Sequence, residues 1–396
     1  MAANLFMLSE ITCQNRGVHR CYKFSNSGVL VELLNKSFDG KNPNYKGHLA
    51  SSSWTLCVGA GISFSLVPTW YDLTRNVVND AFGWNCTSSE FDNIADATKW
   101  SLDSLLQGAS NQLEITGSGK DAFYDLLEKH LYSDLMNQMG SSFLKNALAK
   151  GLSKPRNLNK DETLALVDFF DTNYSDSTLN QLAEVLSKAH DKDRLPLSII
   201  NFNADTLLHM LVEIKHIARN NNGGSWNQPA AQFVKSFRGV ETSSRNVVPI
   251  HHCHGAISPK GSKGKKTNDS RQNLVFRESE YLEIAGNAST WAQTLCLYHA
   301  QNSKFLIIGH SLSDPNIRKW LAWSHQNNLK ELSQLMPNQT GSNPAVSPRH
   351  IWIHLKPSDP KQQELMEISL LHIGVRICWI NTWTDVESTL NNLLAL

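Results

Sequence analysis

The chain is punctuated by short apolar runs that each stop at a polar or glycine-rich cluster, and this punctuation limits its fold more than any other feature. Residues 54–58 flow into Gly59-Ala60-Gly61-Ile62-Ser63, which reads as a buried strand, a tight turn and a helix start. Pro68, followed by Trp70, Leu73, Val77 and Val78, suits the first turns of a helix with one apolar face. Further runs at 195–200, 247–250, 305–308, 351–355 and 375–380 repeat the pattern, the last of them before a final helix at 385–396. Strands that end in polar loops and alternate with helices predict an α/β fold, a Rossmann-like parallel sheet with helices on both faces. In such sheets ligands sit at the carboxyl ends of the strands, where these clusters fall.

Between about 90 and 193 the period changes. Leu102, Leu105 and Leu106, then Phe123, Leu126 and Leu127, then Leu179, Leu182, Val185 and Leu186 recur at helical spacing. The pattern predicts a mainly helical insertion domain at 90–194, set into a catalytic domain formed by 50–89 and 195–396, with 1–49 as an N-terminal extension. The helical stripes read as core and carry no chemistry.

A chain of 396 residues, 41% hydrophobic, can bury a sizeable core, so a globular enzyme is the expectation. Thirty-seven basic against thirty-six acidic residues leave no global charge to attract nucleic acid or an anionic membrane. Any anion must be bound locally. The seven cysteines, at 13, 21, 57, 86, 253, 296 and 378, never form Cys-x-x-Cys, so neither a disulfide framework nor a zinc module is suggested and no metal is expected. The opening residues lack a basic lead and a long apolar run, and a cytoplasmic protein without membrane contact fits best.

Four clusters could carry chemistry. In Gly59-Ala60-Gly61-Ile62-Ser63 the glycines let backbone N–H groups approach a pyrophosphate, although Phe64 stands where the full G-x-G-x-x-G fingerprint has its third glycine and a purely structural turn is the alternative. Alternation at the end of 195–200 would aim Asn201, Asn203 and Asp205 in one direction, while turn and helix capping explain the same residue types. His251-His252-Cys253-His254-Gly255 offers a general base near neutral pH, or a histidine hydrogen-bonded in the core. Gly309-His310-Ser311-Leu312-Ser313-Asp314 offers hydroxyls and N–H groups to a ribose or phosphate, and equally to a helix cap. Lysines 260, 263, 265 and 266 lie among Gly and Ser and read as a solvated loop.

Taken together and in order, G-A-G-I-S, N-x-N-x-D, H-x-H-G and G-x-S-L-x-D-P resemble the signature of the sirtuin superfamily, in particular its bacterial defence branch of NAD hydrolases. The likeness covers residues 54–65, 195–208, 247–257 and 305–320, with looser similarity at 277–281. It implies NAD as substrate, with Asn203 and Asp205 lining the nicotinamide pocket and His254 acting as base on the ribose. Gly59, Ala60, Gly61, Ile62 and Ser63 would hold the pyrophosphate, His252 would support His254, and Gly309, Ser311 and Asp314 would sit near the adenosine half. Asn201, counted with the cofactor-binding residues, and Phe202 depart from the family pattern, replacing the residues sirtuins usually carry just before the position of Asn203, at the inner wall of the pocket. The chain lacks the four-cysteine zinc module and the Pro-Asp-Phe-Arg stretch of protein-deacylating sirtuins, continuing instead Phe64-Ser65-Leu66-Val67-Pro68. The resemblance therefore implies hydrolysis of NAD to nicotinamide and ADP-ribose in anti-phage defence. It also implies a homo-oligomer, a defence partner such as a HerA-type hexameric ATPase, and low basal activity. A non-hydrolytic NAD or ADP-ribose sensor, a structural subunit, and an ADP-ribosyl or deacyl transferase are the alternatives.

Overall fold

The computed structural model describes residues 45–221, 226, 228–236, 247–259, 274–286, 290–335 and 348–396, together with the backbone strands Phe6–Ile11, Cys21–Asn26 and Phe38–Asp39. Lysines 260, 263, 265 and 266 lie outside the described residues. The fold is a Rossmann-like α/β arrangement in which, among the described residues, seven parallel strands accompany thirteen α-helices.

The strands are β1 (Trp54–Val58), β2 (Ile199–Asn201), β3 (Phe233–Ser236), β4 (Val248–His252), β5 (Lys304–Ile308), β6 (His350–Leu355) and β7 (Val375–Ile380). β1 is buried at all five positions, so both alternating sets of its side chains are covered, as a parallel strand of a doubly wound sheet requires. The chain divides into two compact units.

The first unit comprises Met1–Cys57, Lys192–Leu197 and Ala292–Leu396. Its strands run in the order Phe38–Asp39, β7, β6, β5, β1, with β7 parallel to β6 from Val375 opposite His350 to Ile380 opposite Leu355. The helices α11 (Pro315–Leu335), α12 (Pro360–Ser369) and α13 (Val386–Leu394) alternate with these strands. The N–H of Leu197 donates to Trp54 O (2.8 Å), but the ladder of β2 begins only at Ile199. The apolar run at 195–200 contains Pro196, which has no N–H to give a neighbour, and this shortens the strand. The separate antiparallel hairpin of Phe6–Ile11 with Cys21–Asn26 was not anticipated from the sequence.

The second unit comprises Val58–Asp191 and Ser198–Trp291. Its strands run β2, β4, β3, with Ile199 opposite Ile250 and Asn201 opposite His252. β3 is a strand the sequence reading did not mark. Its first N–H groups are held by the fully buried carboxylate of Glu213 on α8 (Leu207–Arg219), which accepts from Phe233 N (2.9 Å) and from Gln232 N (3.2 Å). Six helices occupy the stretch between β1 and β2 that the stripes predicted as helical: α2 (Ser88–Thr98), α3 (Leu102–Ile115), α4 (Lys120–Gln138), α5 (Ser142–Ser153), α6 (Lys160–Asn173) and α7 (Thr178–Asp191). Thr87 with Glu90, and Asn159 with Glu162, form capping boxes that fix the starts of α2 and α6. α7 packs against the turn after β1.

Two expectations at that turn are corrected. Ala60–Ser63 is a four-residue 3-10 turn, and the following helix, α1, starts only at Trp70 and ends at Phe82. Pro68 does not open it. Thr69 is the cap, its hydroxyl accepting from Asp72 N (3.1 Å), and Pro68 sits one residue upstream, where it has no helical bond to lose. The C-terminal end turns at Gly83 with φ +67°, a left-handed conformation that favours glycine.

Candidate functional site

The site is built from the loops that follow β1, β2 and β4 in the second unit. At the end of β2 the strand stops at Asn201, yet burial continues to alternate: Asn201, Asn203 and Asp205 are buried while Phe202 and Ala204 are half-buried. A turn sustains this beyond the ladder. The side-chain Oδ1 of Asn201 accepts from the N–H of Asn203 (2.8 Å), bending the chain so that the two amides and the carboxylate lie on the buried side.

The loops after β2 and β4 are joined through their backbones. Cys253 N donates to Asn201 O (2.9 Å) and Ile257 N donates to Ala204 O (2.7 Å), while the His252 Nδ1 lies 3.4 Å from Asn203 O. After His254 the chain turns at Gly255 with φ +71°, again the left-handed region, and Gly255 N donates to His252 O (3.1 Å). Sequence order thus brings two motifs fifty residues apart into adjoining turns.

The glycine turn meets them through Ser63. Its Oγ lies 3.5 Å from Asn203 Nδ2, a long contact, and it also hydrogen-bonds the carboxylate of Asp205. Gly59 is buried, Ala60 and Gly61 are exposed, and Ile62 and Ser63 are buried, so the turn presents backbone outward and a hydroxyl inward. Among the described residues, the buried Oδ1 of Asn203 and the buried Nδ2 of Asn201 have no hydrogen-bonding partner. A buried acceptor and a buried donor left unpaired are each costly unless a ligand completes them.

Burial sets the protonation of this region. The carboxyl of Asp205 is pushed above the usual carboxylate range by burial, against the opposing pull of the Leu207 N–H (2.9 Å) and Ser63. Asp205 Oδ1 thus also accepts from the first N–H of α8, one residue before its N-cap Thr206, so a role at the helix start and the site reading apply to the same side chain. His252, fully buried, is lowered to about 3 by burial and by the charge of Lys235. His254 is lowered to about 4 by burial alone. It is a neutral imidazole at neutral pH, half-buried, and among the described residues neither ring nitrogen is hydrogen-bonded.

What holds the imidazole is aromatic. Phe202 packs edge-on against it with ring centroids 5.1 Å apart, and Tyr281, on α9 (Glu278–Gly286), does so at 5.7 Å. Neither was assigned a contact by sequence reasoning. Phe202 stood out only as a departure from the family pattern, and Tyr281 only within a looser stretch of similarity. Tyr281 follows Glu280, which forms an ion pair with Arg277 at a separation of three residues, a local signal that the sequence does contain.

In the first unit, Gly309 turns with φ +66° directly after β5. Ser311 is exposed and its Oγ lies 2.6 Å from Ser313 Oγ, whereas Asp314 Oδ1 accepts from Asn316 N (2.8 Å) and so caps α11. His310 Nδ1 accepts from Leu312 N (2.9 Å). Among the described residues, no three His, Cys, Asp or Glu side chains are placed to hold a metal ion, and Cys57, Cys86, Cys253, Cys296 and Cys378 form no disulfide. No described helix is long and apolar enough to cross a membrane.

No curated protein matches the chain. The matched span starts after the glycine turn and the helical stretch and takes in the loops of Asn203, His254 and Gly309. Residues 197–373 match the model of the SIR2-like domain, which supports a sirtuin-like family and an NAD-related function for this part of the chain.

Proposed function

We propose that this chain hydrolyses NAD at the nicotinamide–ribose bond, releasing nicotinamide and ADP-ribose. One observation carries the reading: a neutral imidazole with open nitrogens, His254, stands in loops adjoining a buried amide, Asn203, whose carbonyl oxygen lacks a partner. Nicotinamide leaves NAD as a neutral molecule from a cationic ring, and the sugar left behind takes on positive charge. A site that holds a neutral base and an unpartnered carbonyl acceptor suits that change better than one crowded with cations.

In this reading His254 polarises a ribose hydroxyl, Asn203 positions water or the sugar, and Asp205, raised toward its protonated form, orients the nicotinamide amide. The exposed backbone of Ala60 and Gly61 receives the pyrophosphate, and Ile62, Ser63, Asn201 and His252 shape the wall behind it. Binding the remote parts of the dinucleotide holds the scissile bond in place, which is where a loop without chemistry of its own contributes. Gly309, Ser311 and Asp314 enter only through the family pattern.

The biological role follows the same resemblance: depletion of NAD in anti-phage defence by an oligomer kept quiet until a trigger or a partner, such as a HerA-type ATPase, acts. The test is to incubate the full chain with NAD, with and without cell extract, and to separate nicotinamide, ADP-ribose and cyclic products. Binding without product would favour a sensor, and label transferred to protein would favour a transferase. His254→Ala should lose about 10² to 10⁴ in rate, the range of a positioned base, while circular dichroism shows the fold retained. Wild-type release of nicotinamide by that folded variant would overturn the assignment.

A further inference from the structure

The helical stretch carries no residue of the site, yet one of its side chains ties the two site loops together. Tyr132, on α4, is buried, and its hydroxyl donates to Ile257 O (2.6 Å) while accepting from Thr206 N (3.2 Å). Thr206 follows Asp205 directly, and Ile257 lies three residues after His254. The hydroxyl of Thr206 in turn donates to Leu152 O (2.7 Å) on α5. Burial and the nearby Asp205 push the ionisation of Tyr132 upward, so it remains a donor at neutral pH.

The same helix reaches the imidazole from a second direction. The hydroxyl of Tyr124 accepts from Arg277 Nη2 (3.1 Å) and lies 3.4 Å from Glu280 Oε1. Arg277 also donates to Ser110 on α3 (3.1 Å), and its guanidinium sits over the rings of Phe123 (5.6 Å) and Tyr124 (5.7 Å). Glu280 accepts from Phe276 N (2.8 Å) and Arg277 N (2.9 Å), fixing the start of the helix that sets Tyr281 against His254.

We propose that Tyr132 is a positioning residue for the reaction at His254 and Asn203, and that α4 is the element through which the helical stretch controls the site. The inference rests on the hydrolase reading. A phenylalanine would fill the same volume at position 132, so the hydroxyl serves the two loops and not the packing of the helix. A displacement of α4 would release both loops at once, and it would shift the ring that packs on the base.

The experiment uses the full chain with Tyr132→Phe, and with Tyr124→Phe as a second variant on the other arm. Hydrogen exchange read without NAD should speed up over 199–207 and 252–258 in Tyr132→Phe, with 70–82 unchanged. Nicotinamide release should then fall in kcat by about 10- to 100-fold, as a misplacement near 1 Å does, with KM nearly constant. Tyr124→Phe should lower kcat at constant KM and leave exchange over 199–207 as in the wild type. Unchanged exchange in a folded Tyr132→Phe protein overturns the proposal whatever the activity of the wild type, and so does faster exchange with wild-type kcat. Should the wild type release no nicotinamide, the hydrolase reading fails by itself. The positioning claim is then decided by NMR titration of the His254 imidazole, which moves upward from about 4 in Tyr132→Phe if the claim holds and stays in place if it does not.

Discussion

Asn201 shows how one side chain can serve geometry before chemistry. Its Oδ1 holds the N–H of Asn203, and without that bond a buried donor would be left unsatisfied. Asn201→Ala should therefore destabilise the chain by about 1–3 kcal/mol, read as a lower midpoint in urea unfolding. An unchanged midpoint would mean that the turn at 201–203 is held by its backbone alone. The sequence put asparagine at 201 and 203 and aspartate at 205 in view because their spacing is that of a strand. It did not show that the strand stops at Asn201 and that a side-chain turn carries the alternation further, since a turn of this kind depends on where the neighbouring β4 ends.

At the scale of elements, β3 depends on α8. Glu213 is fully buried, paired with Arg156 Nη1 (2.9 Å), and receives the first two N–H groups of the β3 segment. Removing one partner of such a pair leaves an uncompensated charge and two orphaned donors. Glu213→Ala is expected to cost roughly 3–5 kcal/mol, measured by chemical denaturation, with exchange at 232–236 rising most. A loss below about 1 kcal/mol would show that the strand is held by its pairing with β4 and not by the helix, because surface-type ion pairs contribute only that much. The four residues of β3 gave no periodic signal long enough to read, whereas β5, β6 and β7 appeared within a residue of their apolar runs because each buries at least four of its residues. α1 is intermediate. Its apolar face was legible from 70 onward, but its start was set by Thr69, a cap that the proline beside it obscured.

For the molecule as a whole, burial of histidines makes stability depend on pH. His48, His216, His254 and His299 are each lowered to about 4, and His252 and His350 to about 3, burial being the largest cause in every case. A group whose folded value lies below its unfolded one, near 6.5 for histidine, binds its proton more readily when the chain is unfolded. Stability should therefore be full above about pH 6.5 and fall as the pH drops from there toward about 3, the folded value of His252 and His350. Thermal melts between pH 7 and 5 should show the midpoint falling by several degrees, and a flat midpoint would mean these imidazoles are hydrated in solution. Over the same range His254 stays neutral in the folded chain, so kcat/KM should be lost near pH 4 and not near 6.5.

The sequence by itself determined the alternation of strands and helices, the helical stretch between β1 and β2, and the residue types at the strand ends. These are local properties, fixed by periodicity and by the turn chemistry of Gly, Asn and Asp. Only the tertiary structure decided that Phe202 and Tyr281 flank His254, that Asp205 meets Ser63, and that Tyr132 joins two loops from a helix whose pattern shows nothing but a buried face. Such contacts join residues from 27 to more than a hundred positions apart, and no spacing rule within one element can encode a partner that lies in another.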